Sequence, residues 1–316
     1  MPLDTKSRNV LGRIAWLYYE HDMSQKEIGE FLGLSRLKVV RALKEARRLG
    51  VVKISIDHND VRCFEIEDSL CRSSGLSRVM VLPSGPSPIE SIAGGAAMRF
   101  QQALESYRCI ALGGGRTIAA MTRCIARPAK QITEQIISMG ESISPEALYD
   151  PSTIAHTLTT KLGVKFHQIE APPITAPPEV AKALKDSPAV AKAIAMALGA
   201  DIAFSSISAV ESSEYIFYSS IPDDMRKKLL ATGVVGEIEG TFYTIDGKRH
   251  NTIFSRHACV PFPMKCPVVL IAAGPEKTNA IVGAIRGGFV NELVTDSNTA
   301  ETLLEKFFAK PARASD

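Results

Sequence analysis

The chain has 316 residues, 45% of them apolar and 22% charged, with a formal net charge of +3. That length predicts two folding units, and that composition predicts a soluble globular protein with a large core. The longest apolar run, near "PVVLIAA", is far too short to cross a bilayer, and no apolar stretch with a small-residue cleavage site opens the chain.

The net charge hides an asymmetry. Residues 1–56 carry 11 Lys and Arg against 6 Asp and Glu, a balance of +5, whereas the remainder carries 26 against 28, a balance of −2. A basic head on a near-neutral body points to a polyanion as the partner of the head. Cys63, Cys71, Cys109, Cys124, Cys259 and Cys266 show no CxxC spacing and read as reduced thiols of a cytoplasmic protein.

In chain order, "VLGRIAWLYYEHDM" reads as a supporting helix with Trp16 expected in its core. Ser24 followed by Glu27 is a capping box, and Ile28, Phe31 and Leu32 then recur at helical spacing. Gly33 ends that helix because a sharp turn needs a residue that tolerates positive φ. Gly29 sits where a side chain would obstruct the approach of the next helix. Ser35 caps that second helix, whose apolar positions are Leu37, Val39, Val40, Leu43, Ala46 and Leu49, and Val39 and Leu34 supply the contact between the two. Gly50 stops it, and "VVKISI" reads as a strand, half of a wing, with Lys53 placed for a backbone contact.

Helix, short turn, helix is the arrangement that lays its second helix in the major groove. Six Lys and Arg fall between Arg36 and Arg48 against the single Glu45. A solvated helix face would also look like this, but capping box, turn glycine, second cap and one-sided charge fall in the order that DNA binding requires. The candidate contacts are Ser24, Gln25, Ser35, Arg36, Lys38, Arg41 and Lys44, with base edges near the helix start and phosphates towards its end. The motif "MSQKEIGEFLGLSR" with "GVVKI" resembles the N-terminal module of the SorC-type sugar-binding transcriptional regulators, a branch associated with the DeoR regulators. The recognition helix of that family usually reads S-R-x-x-V-S-R-L-L. Here "SRLKVVRAL" has Val40 for the Ser and Ala42 for a Leu, so no operator sequence carries over.

Residues 57–75 read as a polar-faced helix joining head to body. Beyond them short apolar runs alternate with helical patterns: "SRVMVLP", a helix over 88–106, "RCIAL", "TIAAMTRCIA", "KQITEQIISMG", "PSTIAHTLTTKLG" and "KFHQIEA". A helix over 177–198 interrupted by Pro188 follows, then "ADIAFSSIS", "PVVLIAAG", "KTNAIVGAIRGG", "VNELVTD" and "TAETLLEKFFA". This alternation predicts a mostly parallel, doubly wound α/β sheet covered by helices on both faces, with ligands beyond the carboxyl ends of its strands. The divisions expected are 1–56 for a winged helix-turn-helix domain, 57–75 for a linker helix and 76–316 for an effector and oligomerisation domain.

Two loops at such ends stand out. "CIALGGGRTIAAM" passes through Gly113, Gly114 and Gly115 into a helix, where free amides favour an anion, Arg116 adds a forked donor and Thr117 a hydroxyl. "IAAGPEKTNAIVGAI" repeats the pattern with Gly274 and Lys277. Glycine loops also make tight turns that bind nothing, but two at strand ends, each followed by a cation, favour a ligand site. Asp201 could bond a sugar hydroxyl or merely cap a helix. Glu237 could line the pocket or sit at an exposed strand position, and Asp296 could sit above the sheet or cap the next helix. Asp246-Gly247 reads as a hairpin turn. His21, His58, His156, His167, His250 and His257 show no metal-ligand spacing, so no metal and no cofactor are expected.

"LGGGRT", "ADIAF", "GEIEGTFYTIDG" and "AAGPEKTNAIVGAIRGGFVNELVTDSNTA" extend the resemblance to the effector domain of the same family. The resemblance implies a sheet similar to that of ribose-phosphate isomerase and glucosamine-phosphate deaminase, with a sugar or sugar phosphate held by residues 113–117 and Lys277. The family loop often reads G-W-G-R-T, so Gly114 removes a stacking contact. Family members are usually tetramers or dimers of dimers, and a basic head reading paired half-sites needs at least a dimer. The function expected is a transcriptional regulator, a repressor of a carbohydrate or polyol operon, that binds operator DNA under control of a sugar, polyol or sugar-phosphate effector. The alternatives are a sugar-phosphate isomerase or deaminase with an added helical head, and a non-specific nucleic-acid scaffold. Isomerisation needs a positioned base, and Asp201, Glu237, Asp246 and Lys277 are not placed together by the sequence.

Overall fold

The computed structural model describes residues 7–53, 58–128, 130–141, 149, 151–169, 182–184, 186–211, 223–251 and 260–308. The chain divides into two compact units, Met1–His58 and Asn59–Asp316.

Among its described residues the first unit holds three helices, α1 (Arg8–Tyr19), α2 (Gln25–Leu32) and α3 (Arg36–Arg48). Local chemistry sets their ends. The Ser24 amide donates to Glu27 Oε2 at 2.8 Å and the Glu27 amide to Ser24 Oγ at 3.3 Å, closing the capping box. Gly33 ends α2 at φ 67°, and the Ser35 hydroxyl accepts from the Lys38 amide at 3.4 Å to start α3. A Cβ on Gly29 would meet the Leu34 carbonyl oxygen at 2.7 Å, so this glycine admits the turn backbone. Leu11, Ile14, Ile28, Val39, Leu43 and Ala46 form the core, with Leu34 packed against it.

Several apolar side chains of this unit depart from expectation. Trp16 is 53% exposed, set edge-on against His21, because Leu11, Ile14, Ala15 and Leu17 already fill the inward stripe of α1. Phe31, Leu37 and Leu49 are exposed as well. Val51–Lys53 form no strand: the Val51 and Val52 amides close onto the Ala46 carbonyl, and the rest of the expected wing lies outside the described residues.

The second unit opens on α4 (His58–Ser74). It does more than connect, since Cys63, Ile66 and Leu70 are buried in the core of this unit. There follow β1 (Arg78–Leu82), α5 (Pro88–Leu104), β2 (Cys109–Leu112), α6 (Arg116–Cys124), β3 (Gln135–Glu141), α7 (Pro151–Leu162) and β4 (Lys165–Ile169). Next come α8 (Pro188–Leu198), β5 (Ile202–Ser205), β6 (Ser208–Ala209), α9 (Asp223–Ala231), β7 (Val234–Ile238), β8 (Thr241–Thr244) and β9 (Arg249–His250). The chain then runs through β10 (Val268–Ile271), a 3-10 turn (Pro275–Lys277), α10 (Thr278–Arg286), β11 (Glu292–Asp296) and α11 (Ser297–Phe308). Pro188 starts α8 at its first turn, where the missing N–H costs nothing, and residues 177–181 lie outside the described set.

Seven strands pair in the order β1-β11-β10-β5-β2-β3-β4, all parallel. Alternate side chains serve opposite layers, as the two-residue period of a strand dictates. Ile110, Leu112, Ile202 and Phe204 pack with α5, α6 and α7, whereas Cys109, Ala111, Ala203 and Leu270 pack with α4, α8, α10 and α11. A buried bidentate pair, Arg99 Nε to Glu292 Oε2 at 2.7 Å and Nη2 to Oε1 at 2.9 Å, joins α5 to β11. A second, antiparallel sheet, β6-β7-β8-β9, adds to this parallel core. It carries the Asp246-Gly247 hairpin, with Gly247 at φ 78°, and packs β7 and β8 on α10.

Candidate functional site

In the first unit, α3 turns Val39, Ala42, Leu43 and Ala46 into the core. The opposite stripe is therefore Leu37, Arg41, Lys44 and Arg48 at helical spacing, flanked by Arg36 and Lys38. The six cations of α3 differ in what they touch. Arg47 donates twice to the Tyr19 hydroxyl, at 2.7 and 3.0 Å, and Arg48 is paired with Glu45 at 2.6 Å. Arg36, Lys38, Arg41 and Lys44 are exposed, with no ion pair among the described residues. Two of these four occupy the first turn of α3, which has no acidic residue. A helix N-terminus disfavours each cation there by about 0.3–1 kcal/mol, so the arrangement costs stability and suits an external anion. An open concavity of about 350 Å³ lies beside them, lined by Tyr18, Ser24, Gln25, Lys26 and Arg36. Leu37, 58% exposed on the outward stripe, was expected among the apolar positions of the helix because its spacing resembles that of a core residue.

In the second unit, the chain leaves β2 towards β3 and β4, then returns past β2 to β5 and continues to β10 and β11. Strand order therefore reverses between β2 and β5, and such a reversal opens a crevice beyond the carboxyl ends of the two strands. Gly113, Gly114 and Gly115 form one lip, Ser205 and Ser206 the other. The Gly113 amide bonds the Phe204 carbonyl at 2.8 Å, and the Ser206 hydroxyl donates to the Gly114 carbonyl at 2.9 Å. Gly115, at φ 100°, turns the chain into α6, with Arg116 half-buried and Thr117 buried in its first turn.

β5 runs almost directly into β6, which pairs with β7, and this brings the β7–β8 turn over the crevice. Glu239 and Gly240 are the two turn residues, with φ 43° and 79°. Glu239 Oε1 accepts from the Ser205 hydroxyl at 2.8 Å, and a side chain on Gly113 would overlap the same carboxylate. Its backbone partner is Gly114. Although Glu239 keeps part of its surface open, its carboxyl end is closed in. Desolvation first, then the neighbouring Glu237, pushes it up to about 7, against the lowering effect of the Ser205 and Gly114 bonds. Glu239, Ser205 and Ser206 were missed by sequence reasoning. The one local signal was a Glu-Gly pair between two strand-like runs, in a turn that usually takes Asn-Gly or Asp-Gly.

The other sequence candidates separate. Glu237 is buried and accepts from the Gly240 amide within the turn. Beside it lies the buried Tyr243, whose hydroxyl has no hydrogen-bond partner among the described residues and is held well above its usual value by desolvation and Glu237. Lys277 ends the 3-10 turn after β10, two strand spacings or about 10 Å from the β2 loop. Its loop is less open to an anion than the pattern implied. The Gly274 amide is taken by the Thr299 hydroxyl at 2.8 Å, and the Glu276 carboxylate folds over Gly274. Asp296 proves to be a helix cap: its Oδ1 accepts from the Thr299 amide at 3.0 Å and its Oδ2 from Ser84 at 3.1 Å. Asp201 lies at the opposite, amino edge of the sheet, where it accepts from the Arg108 and Cys109 amides at 3.0 and 2.9 Å. It precedes β5 instead of following it, and that removes it from the crevice.

The family described as "Putative sugar-binding domain" matches residues 58–305. Relatives run through the head as well. The transcriptional regulator LsrR of Enterobacter sp. (strain 638) is 30% identical over 308 residues, covering 93% of this chain and 92% of that protein. LsrR of Escherichia coli (strain K12) is 30% identical over 304 residues, covering 93% and 94%. The full-length sorbitol operon regulator SorC from Klebsiella pneumoniae shares the fold with a TM-score of 0.72, at 24% identity over 94% of this chain and 99% of that one. A DeoR family transcriptional regulator from Listeria monocytogenes gives 0.69 at 20% identity, covering 76% and 99%. With the match extending from the basic head through the crevice-bearing body, the chain belongs to the SorC-type family of sugar-binding transcriptional regulators.

Proposed function

We propose that this regulator binds operator DNA through α3 and that a sugar, polyol or sugar-phosphate effector in the β2–β5 crevice changes that affinity, with repression relieved by the effector. The observation that carries the reading is the set of four exposed cations on α3 that make no ion pair among the described residues, two of them at the positive end of the helix. Arg41 and Lys44 face the groove with Leu37, which offers apolar surface to a thymine methyl group, while Arg36, Lys38, Ser35, Ser24 and Gln25 hold the flanking phosphates. A homodimer or tetramer presents two heads to paired half-sites, and the effector acts through its difference in affinity between the DNA-competent and incompetent arrangements. The protein works by binding and not by turnover, in the cytoplasm, on double-stranded DNA.

The test is fluorescence anisotropy with the DNA upstream of the regulator's own gene and of its neighbours, titrated with a panel of sugars, polyols and their phosphates. Tight, salt-dependent binding to one fragment that a single ligand weakens is the expected result. No binding to any fragment at low ionic strength refutes the DNA reading. DNA affinity indifferent to every ligand refutes the control.

A further inference from the structure

We propose that Tyr19 positions Arg47 as a ready-made phosphate contact at the closing turn of α3, so that this arginine, although bonded within the protein, belongs to the DNA interface. This deepens the DNA reading and rests on it.

The partner of Arg47 is neutral. Its Nη2 and Nε donate to the Tyr19 hydroxyl at 2.7 and 3.0 Å, and its Cζ lies 5.9 Å from the ring centroid. A carboxylate in that place would cancel the charge, as Glu45 does for Arg48 one residue further on. A hydroxyl orders the guanidinium and leaves its charge uncompensated. Arg47 makes no ion pair among the described residues.

The geometry leaves a binding edge open. Nε and Nη2 form one edge of the planar fork, and that edge is on Tyr19. The other edge, Nη1 beside Nη2, still carries the parallel N–H pair that takes a phosphate in bidentate fashion. A free arginine loses rotamer freedom when it meets a partner, whereas Arg47 is already held before DNA arrives.

Its place on α3 suits such a contact. Arg36 and Arg47 are eleven residues apart, about three helical turns, and so fall on one flank of α3 beside the outward stripe. Arg36 lines the open concavity with Tyr18, whose ring centroid stands 4.9 Å from that of Tyr19. Adjacent tyrosines at the end of α1 thus serve cations from both ends of α3. They can do so because Leu11, Ile14 and Leu17 fix the inward face of α1 in the core. The C-terminal end of a helix repels a phosphate, and with Arg48 neutralised by Glu45 it is Arg47 that offsets this in the last turn.

The experiment measures fluorescence anisotropy of the full-length wild type, Arg47→Ala, Arg47→Lys, Tyr19→Phe and the Tyr19→Phe/Arg47→Ala double variant. The probes are the upstream fragments and a mixed-sequence duplex over a range of salt, with urea midpoints read in parallel. Arg47→Ala should weaken all duplexes alike and reduce the salt slope by about 1. Tyr19→Phe keeps the ring and every charge, so it should leave the slope and the urea midpoint as they are while weakening binding about threefold to tenfold. Arg47→Lys keeps the charge without the fork and should bind as Tyr19→Phe does. The double variant should bind no more weakly than Arg47→Ala, because the hydroxyl acts through the guanidinium alone. Tyr19→Phe binding like the wild type, or weakening the Arg47→Ala background by its full factor, overturns the positioning role and leaves the DNA reading intact. So does a Tyr19→Phe loss that comes with a lowered urea midpoint, or an Arg47→Ala variant with an unchanged salt slope. A wild type that binds no duplex at low ionic strength overturns both.

Discussion

In the head, four cations stand in solvent on α3 with no ion pair among the described residues, and the helix they start is made less stable by two of them. In the body, the carboxylates around the first glycine loop are enclosed and bonded to a hydroxyl or to backbone amides. The contrast follows from the two surroundings. An exposed charge is cheap to keep in water and free to meet a polyanion, whereas a buried one survives only if its bonds are made at home. A surface for a large charged partner is therefore built from unfinished interactions, and a crevice for a small ligand from finished ones that the ligand must share.

The sharpest way to break that comparison is to unfinish a buried pair. Arg99→Met strands Glu292 inside the body, and we expect a loss of about 3–5 kcal/mol in urea unfolding; a loss below about 1 kcal/mol would show that burial does not govern charge here. Gly113→Ala drives a methyl group into the Glu239 carboxylate, and about 1–3 kcal/mol of stability together with ligand-induced thermal shifts should disappear. Binding isotherms over a range of salt would read Arg41→Ala: a loss of about 1–3 kcal/mol on one sequence marks a base contact, while a uniform loss with the salt slope reduced by about 1 marks a phosphate. Neither result should come with a stability change beyond about 0.5 kcal/mol.

Smaller effects sharpen the contrast. Lys38→Glu should stabilise the head by about 0.3–1 kcal/mol through the helix dipole while weakening DNA binding, a trade that a purely structural helix would not show. Outside this order of size stands a pH effect from Glu239. Its carboxyl binds a proton more tightly in the folded protein, at about 7, than at its ordinary value of 4.5. Folded molecules thus hold the extra proton between those values, so stability falls as pH rises from about 4.5 to about 7 and levels off above. Glu239→Gln should flatten that segment of a melting-temperature profile, and an unchanged slope would assign it to another group.

Much of the head was legible because its signals are local. Ser24 finds Glu27, Ser35 finds Lys38, and Gly33 turns left-handed, all within a single helical turn of sequence. Side-chain exposure was less legible. Trp16 and Leu37 lie outside a core that smaller neighbours fill, a matter of where one helix meets another. In the body, the succession of strands and helices and the two glycine loops followed from periodicity and composition. Asp201, Asp296 and Glu239 did not, because a carboxylate at a strand end looks the same whether it caps, braces or faces a ligand.

What the sequence determined by itself is the order of the elements and the charge of each unit, since helix caps, apolar period and net charge are properties of residues near one another in the chain. Only the tertiary structure decided that the strand order reverses between β2 and β5, which puts residues 113, 205 and 239 into one crevice and Asp201 at the far edge. Such contacts span from about thirty to more than a hundred residues of sequence, and which of them form depends on the packing of whole layers against one another.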